Sequence, residues 1–268
     1  MEDINKVYLK KILSNINNRI DIADYYYSFK NEIINNNRFF PKHKIIDVLK
    51  ESYKNNIFIL EKGSTLYRSR IYTLPLSPNF LNNNAYSGYD AENSLAPKNK
   101  NIIRAGRANP EKIGYLYLSE DVETSIKEIR PNIKSRISVA TVEILKDFKL
   151  FDISDLNQNL KEFEALNFGF SLPVSNEMDY IPTKYISELL KNIGFDGIKF
   201  NSSLNKNKKN ITLFNYENNV NIQFIKSELY FVNDINVDFS NLNNIQNMIN
   251  NILKELMSDK EINIINGD

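Results

Sequence analysis

Three groups of side chains in this sequence have types and spacings suited to a charged small molecule carrying planar rings. Arg68 and Arg70 lie two apart in an alternating stretch, so a strand would project both guanidinium groups from one face and Tyr67, Ser69 and Ile71 from the other. The planar arginine fork binds phosphate oxygens in pairs and stays charged, which suits a pyrophosphate. In G-Y-L-Y-L-S-E-D, residues 114–121, Leu116 and Leu118 take the core face and Tyr115 and Tyr117 the opposite one. There an aromatic ring can stack on nicotinamide or adenine. Glu128 follows Asp121 by seven residues on a helix whose apolar stripe is Val122, Ile126 and Ile129, and it shares a face with Thr124 that can turn toward a cleft. Spacing alone leaves a plainer counterpart open for each: surface arginines on an edge strand, tyrosines that merely favour strands, and a solvated helix-face glutamate. For the arginines and Glu128 it favours that counterpart.

Together these types suit one reaction. Nicotinamide leaves NAD as a neutral molecule, so little acid assistance is needed, and positive charge builds on the ribose. A carboxylate near the anomeric carbon stabilises that oxocarbenium-like state, arginines hold the phosphates, and an aromatic ring fixes the base. No metal or further cofactor is needed.

The elements that would position these residues are mixed. Helical spacing at Leu9, Ile12, Leu13 and Ile16, from Ile22 to Ile34, and at Ile45, Val48 and Leu49 predicts a helical segment over 1–60. Strands are predicted at Leu66–Tyr72, Tyr115–Ser119, Ile137–Ile144, Phe195–Asn201 and Ile211–Tyr216. Asp121 can cap a helix reaching Arg130, and Thr183 can open one that Gly194 stops. The stretch Pro75–Pro110 has little periodicity and is expected to form a mobile flap over the site. After Tyr216, two short strand-like runs lead to an amphipathic helix through Ile245, Met248, Ile249, Ile252, Leu253 and Leu256. The expected organisation is a helical segment at 1–60, a catalytic domain at 61–216, and a strand and helix extension at 217–268 that packs on it.

Composition narrows the function. The 268 residues are long enough to bury a real core, and 34 basic against 33 acidic residues leave no global field for nucleic acid or an acidic surface. Local basic patches remain compatible with that balance. The chain has no cysteine and a single histidine, His43, which removes disulfides, thiolate nucleophiles and histidine or cysteine metal cages. No run reaches the roughly 20 apolar residues of a membrane span. A cytoplasmic location is expected, with neither a membrane nor a nucleic acid as partner.

The candidate residues also sit in a series of motifs: L-Y-R-S-R at 66–70, A-G-R-A-N-P at 105–110, Y-L-Y-L-S-E-D at 115–121, E-I-R-P at 128–131, Y-I-P-T-K-Y-I-S-E at 180–188, F-D-G-I-K-F-N-S-S at 195–203 and N-I-T-L-F at 210–214. In order and interval this series resembles the RES domain family over roughly 150 residues. The resemblance implies an α+β fold, a mixed and mostly antiparallel sheet similar to that of ADP-ribosyltransferases, with helices before and after it. It also implies cleavage of NAD by phosphorolysis or hydrolysis, inorganic phosphate as a possible co-substrate, and an antitoxin protein that blocks the site. By position it makes Arg68, Glu128 and Ser202 catalytic. It assigns Tyr117 to the nicotinamide end, and Arg70, Arg107, Asn109, Ser203 and Asn210 to substrate binding. The family serine falls at Ser202 or Ser203, with Ser202 preferred, as a hydrogen-bonding positioner rather than a nucleophile. Two departures are Ser69, where some members carry a second aromatic, and Lys184, where many carry Gln.

Three rivals stand beside this reading. An ADP-ribosyltransferase would share the NAD site and pass the ribosyl group to a macromolecule. Arg38-Phe39-Phe40-Pro41-Lys42-His43 resembles the R-x-x-x-x-H motif of HEPN ribonucleases, although Pro41 would break the helix that normally presents the pair. A non-catalytic binding module is the third.

Overall fold

Alternation in the strands dictates a sheet with two buried faces. The computed structural model describes residues 19–75, 87–97, 99–154, 160–172 and 176–236, and Ile20–Asn233 form one compact unit. The strands are β1 (Ile57–Leu60), β2 (Thr65–Ile71), β3 (Leu116–Ser119), β4 (Arg136–Ile144), β5 (Phe148–Asp152), β6 (Gly197–Asn201), β7 (Lys209–Leu213) and β8 (Ile222–Phe231). They form an eight-stranded sheet in the order β1-β5-β6-β7-β3-β2-β4-β8. Only β5 and β6 run parallel; the other pairings are antiparallel. The fold is therefore α+β with a mixed, mostly antiparallel sheet.

The helices are α1 (19–31, continuing as a π-helical turn Glu32–Asn36), α2 (Lys44–Ser52), α3 (Ala91–Ser94), α4 (Val122–Glu128), α5 (Lys161–Ser171) and α6 (Ile181–Ile193). One core joins Phe29, Ile45, Leu49, Phe163, Phe170, Ile186 and Leu190 from helices to Phe151, Ile198 and Phe200 on one sheet face. The other face buries Leu66, Leu116, Leu118, Val142, Ile211 and Leu213 under Leu95 and Ala96. Each apolar side chain removed from water contributes about 1.5–3 kcal/mol, so both layers help hold the sheet together. The sheet draws strands from both sides of the boundaries expected at 60 and 216, since β1 and β8 are its two edges.

The sheet has one weak seam. β2 pairs with β4 over seven residues from Thr65 to Ile71, but with β3 only at Tyr67↔Ser119. Beyond that pair β2 and β3 diverge, and the gap between them opens one end of a cleft.

Several local expectations change on folding. Residues 57–60, expected to be helical, form β1, because the run I-F-I-L pairs with β5. β5 and α5 lie where no element was expected, and the two runs expected after Tyr216 are one ten-residue strand, β8. Helix α6 begins at Ile181, ahead of Thr183, with Pro182 in the first turn where its missing N–H costs nothing. It ends at Gly194, whose φ of 98° only glycine adopts without strain. The described part of Pro75–Pro110 is packed rather than a free flap: Ser94, Leu95, Ala96, Ala108 and Asn109 are buried. The helices expected before residue 19 and after 240 lie outside the described residues.

Candidate active site

The cleft at the β2–β3 seam has a volume of about 280 Å³ and is lined by Tyr67, Arg68 and Ser69 of β2, Tyr117 and Ser119 of β3, Ser125 and Glu128 of α4, Arg107, Phe200 and Asn210. Each wall follows from a local rule. Asp121 caps α4, accepting from Thr124 N at 2.8 Å and Thr124 Oγ1 at 2.9 Å, which fixes where the helix starts. Although burial works against it, these bonds and Lys208 hold the Asp121 carboxyl below its usual range. Two turns on, Glu128 ends the helix beside the cleft. Antiparallel pairing of β3 with β7 sets Ser119 opposite Asn210, where Ser119 Oγ donates to Asn210 Oδ1 at 2.8 Å.

Glu128 is held by two donors on one oxygen. Ser202 Oγ donates to Glu128 Oε1 at 2.6 Å and Asn210 Nδ2 donates to the same atom at 2.7 Å. Among the described residues no hydrogen bond is made to Oε2, so one carboxylate oxygen of this cleft-lining residue is held and the other has no protein partner there. The Ser202 hydroxyl is itself saturated. It accepts from Leu204 N at 3.2 Å and Asn205 N at 3.0 Å, which leaves its proton for Glu128. Asn205 Nδ2 donates to Thr124 Oγ1 at 2.7 Å, tying the 202–205 turn to the same α4 face that carries Glu128.

Tyr117 sits in the cleft wall with its hydroxyl spent on the 106–109 loop. It donates to Asn109 Oδ1 at 2.8 Å and accepts from Ala108 N at 2.9 Å and Asn109 N at 3.3 Å. Burial pushes this phenol up to about 12. Gly106 allows the close approach: a Cβ there would lie 2.4 Å from Asn109 Oδ1 and 2.7 Å from Tyr117 Oη. The loop presents Arg107, whose Nη1 donates to Leu172 O at 2.8 Å and whose guanidinium lies 5.4 Å from the centre of the Tyr180 ring. Thr183 Oγ1 donates to Arg107 O at 2.6 Å and ties the loop to α6. Burial lowers the Arg107 pKa, opposed by Tyr180 and Glu128.

Arg68 lines the cleft, and its hydrogen bonds within the protein run to main-chain carbonyls. Its Nε donates to Ser94 O and its Nη1 to Tyr117 O, both at 3.0 Å, so the guanidinium bridges α3 and β3 across the divergence. Burial and the neighbouring Arg70 bring its pKa down to about 10, still cationic at neutral pH. Arg70 reaches the carbonyl of Asn93 on the same side and does not line the cleft. The two guanidinium groups project together, and both meet main-chain carbonyls of the 93–94 turn. Asn109 is buried, and its amide donates to Arg104 O, Pro110 O and Ile113 O. It organises the loop. Ser203 is exposed and outside the cleft wall. Tyr115 does not join Tyr117: it is buried, donates to Glu188 and packs on Phe214.

Spacing overlooked the opposite face of β2. Tyr67 and Ser69 line the cleft with Ser125 and Phe200, and the Ser69 and Ser125 hydroxyls lie 2.7 Å apart. The signal was available, since alternation assigns Tyr67 and Ser69 to one face. On α4 the apolar stripe is only partly buried, while Thr124 and Ser125 are fully so, because that face meets polar partners. His43 stands apart from the cleft, its Nδ1 accepting from Ile45 N as the cap of α2 and its Nε2 3.0 Å from Ser28 Oγ. Both ring nitrogens are engaged, and Arg38 is exposed on the preceding turn.

Comparison with known proteins adds one assignment. The family model of the RES domain matches residues 84–232, more than half of the chain, which includes Arg107, Tyr117, Glu128, Ser202 and Asn210 and leaves Arg68 outside. A chain of the M. tuberculosis MbcT–MbcA toxin-antitoxin complex is similar in structure at a TM-score of 0.45 and 12% identity, covering 70% of this chain and 93% of that one. No curated protein is matched in sequence.

Proposed function

The chain belongs to the RES domain family, and from that premise we propose that it cleaves the nicotinamide–ribose bond of NAD, by phosphorolysis or hydrolysis, as a toxin restrained by an antitoxin. The observation that carries this reading is the Glu128 carboxylate in the cleft lining, fixed through Oε1 by Ser202 and Asn210, with no hydrogen bond to Oε2 among the described residues. A volume of about 280 Å³ lies at the lower edge of the roughly 300–1,000 Å³ of small-molecule pockets, which suits the nicotinamide ribose half of the dinucleotide.

In this reading the C1′–N bond breaks with its electron pair leaving on nicotinamide, and the ribose gains positive charge. Glu128 stabilises that charge from its open oxygen, and Ser202 and Asn210 keep the carboxylate from turning away. Tyr117 and Tyr67 offer ring faces to the departing base. Arg107 supplies a cation for the phosphates, and Arg68 in the cleft wall bridges the seam and adds a second positive charge. Phosphate or water then bonds to C1′; water loses its proton to solvent in doing so.

The test is product identity. Purified protein is incubated with NAD with and without inorganic phosphate, and products are separated by mass. A phosphorylated ADP-ribose marks a phosphorylase and free ADP-ribose in both buffers a hydrolase. Label carried onto a macromolecule marks a transferase, and intact NAD in every tube contradicts the proposal.

A further inference from the structure

Ser69, Ser119 and Ser125 line the cleft, and each has its proton committed inside the protein. Ser125 Oγ donates to Val122 O at 2.8 Å, a carbonyl that can only accept. At the 2.7 Å contact between Ser69 and Ser125 the donor is therefore Ser69. Ser119 Oγ donates to Asn210 Oδ1 at 2.8 Å, since the Asn210 amide nitrogen is turned to Glu128 Oε1 at 2.7 Å. Among the described residues no group donates to Ser69 Oγ or Ser119 Oγ. A hydroxyl whose proton is spent keeps only its lone pairs for a ligand. Ser69 and Ser119 are thus left as acceptors in the cleft wall.

Their places on the sheet decide what each can read. Ser119 is paired with Tyr67 across the seam and spends its proton on the group that holds Glu128. Ser69 follows Tyr67 by two residues on the same face of β2, which is about 6.5–7 Å along the strand. Its partner Ser125 stands just under one turn of α4 before Glu128. Ser69 is therefore a neighbour both of a tyrosine at the base and of the carboxylate at the ribose. A nicotinamide joined to ribose through its ring nitrogen has one hydrogen-bonding group left, the carboxamide, and only the amide nitrogen of that group can donate.

Resting on the NAD-cleaving reading above, we propose that Ser69 selects the base: its Oγ accepts a hydrogen bond from the carboxamide N–H of nicotinamide while its own proton goes to Ser125. A nicotinate or a ketone in that place has no N–H, so its oxygen would meet an oxygen that has no proton to give. Removing the Ser69 hydroxyl leaves Ser125 with its proton on Val122 O and strands no donor, so the substitution tests selection with little effect on the fold.

The experiment compares wild type with Ser69→Ala on NAD and on acetylpyridine adenine dinucleotide, in which a methyl group replaces the amide nitrogen. The full chain is used, and kcat/KM is measured for each pair. The intrinsic reactivity of the two bases cancels when the preference of one protein is divided by that of the other. Wild type should prefer NAD by a factor that Ser69→Ala lowers about fivefold, the loss falling on NAD. The circular dichroism spectrum and melting curve should be unchanged. A preference that survives the substitution overturns the proposal, and so does an equal loss on both dinucleotides; with NAD still consumed by wild type, either result leaves NAD cleavage standing. Consumption of neither dinucleotide by wild type overturns the NAD-cleaving reading and this selection with it.

Discussion

Ser202 and Glu128 lie 74 positions apart in sequence and meet through a hydrogen bond of 2.6 Å in which the serine hydroxyl donates to Oε1. Because two main-chain N–H groups already occupy the serine oxygen, its proton has one direction to go. The serine acts as a fixed donor to the carboxylate, and Asn210 supplies the second.

Removing that donor should loosen the carboxylate without emptying the cleft. A hydrogen bond to a charged group is worth about 1.5–3 kcal/mol, so Ser202→Ala should lower kcat about tenfold to a hundredfold and leave KM for NAD nearly unchanged. Ser202→Thr should recover part of the loss. Steady-state NAD consumption checks this, and a rise in KM with normal kcat would assign Ser202 to ground-state binding instead.

Asn205 should act on the same bond from one step away. Its amide reaches Thr124 Oγ1 at 2.7 Å, so Asn205→Ala should release the 202–205 turn from α4. The expected result is a kcat reduced several-fold, at a stability cost of about 1 kcal/mol, read from turnover and urea denaturation of the same preparation. Unchanged turnover would confine Asn205 to a structural role.

Tyr117→Phe separates the ring from the hydroxyl. The ring stays in the cleft, but Ala108 N and Asn109 Oδ1 lose their partner in a buried place, at about 1–3 kcal/mol. The 106–109 loop, and Arg107 with it, should move. A lower melting temperature and a raised KM are expected together. A stable protein with normal KM would show that the loop holds without the hydroxyl.

Acid sensitivity should arise in part from the α2 cap. Burial holds the His43 imidazole below its ordinary value of 6.5, so as pH falls the unfolded chain takes up this proton before the folded one. Stability from His43 is therefore complete above about pH 6.5 and is lost as pH falls through the folded value. His43→Asn keeps a capping oxygen and cannot titrate, so its stability should fall less than that of the wild type between about pH 7.5 and about pH 5.5 in urea denaturation. Parallel losses would place the acid sensitivity elsewhere.

How much of this was legible in the sequence depends on the range of the interaction. β2, β3, β4, β6 and β7 were readable because alternation is local, and so were the Asp121 cap and the Gly194 stop. β1 was not, since I-F-I-L is too short for periodicity to separate strand from helix. The seam was invisible as well, because it depends on β3 and β2 becoming neighbours through a long connection. That seam decides why Arg68 bridges main-chain carbonyls and why Tyr67 and Ser69, rather than Arg70, face the cleft. Tyr115 and Tyr117 share a face by alternation, but only the folded chain brings Glu188 and Phe214 to Tyr115 and leaves Tyr117 at the cleft.

In the proposed reaction Glu128 stabilises the charge that builds on the ribose as nicotinamide leaves. The direct measurement is the rate of NAD loss by Glu128→Gln beside wild type, with NAD binding to both followed by calorimetry. Retained binding with turnover lowered by about a hundredfold or more is the predicted result. Wild-type turnover in the glutamine variant would contradict it, and would move the chemistry away from the carboxylate that Ser202 and Asn210 hold.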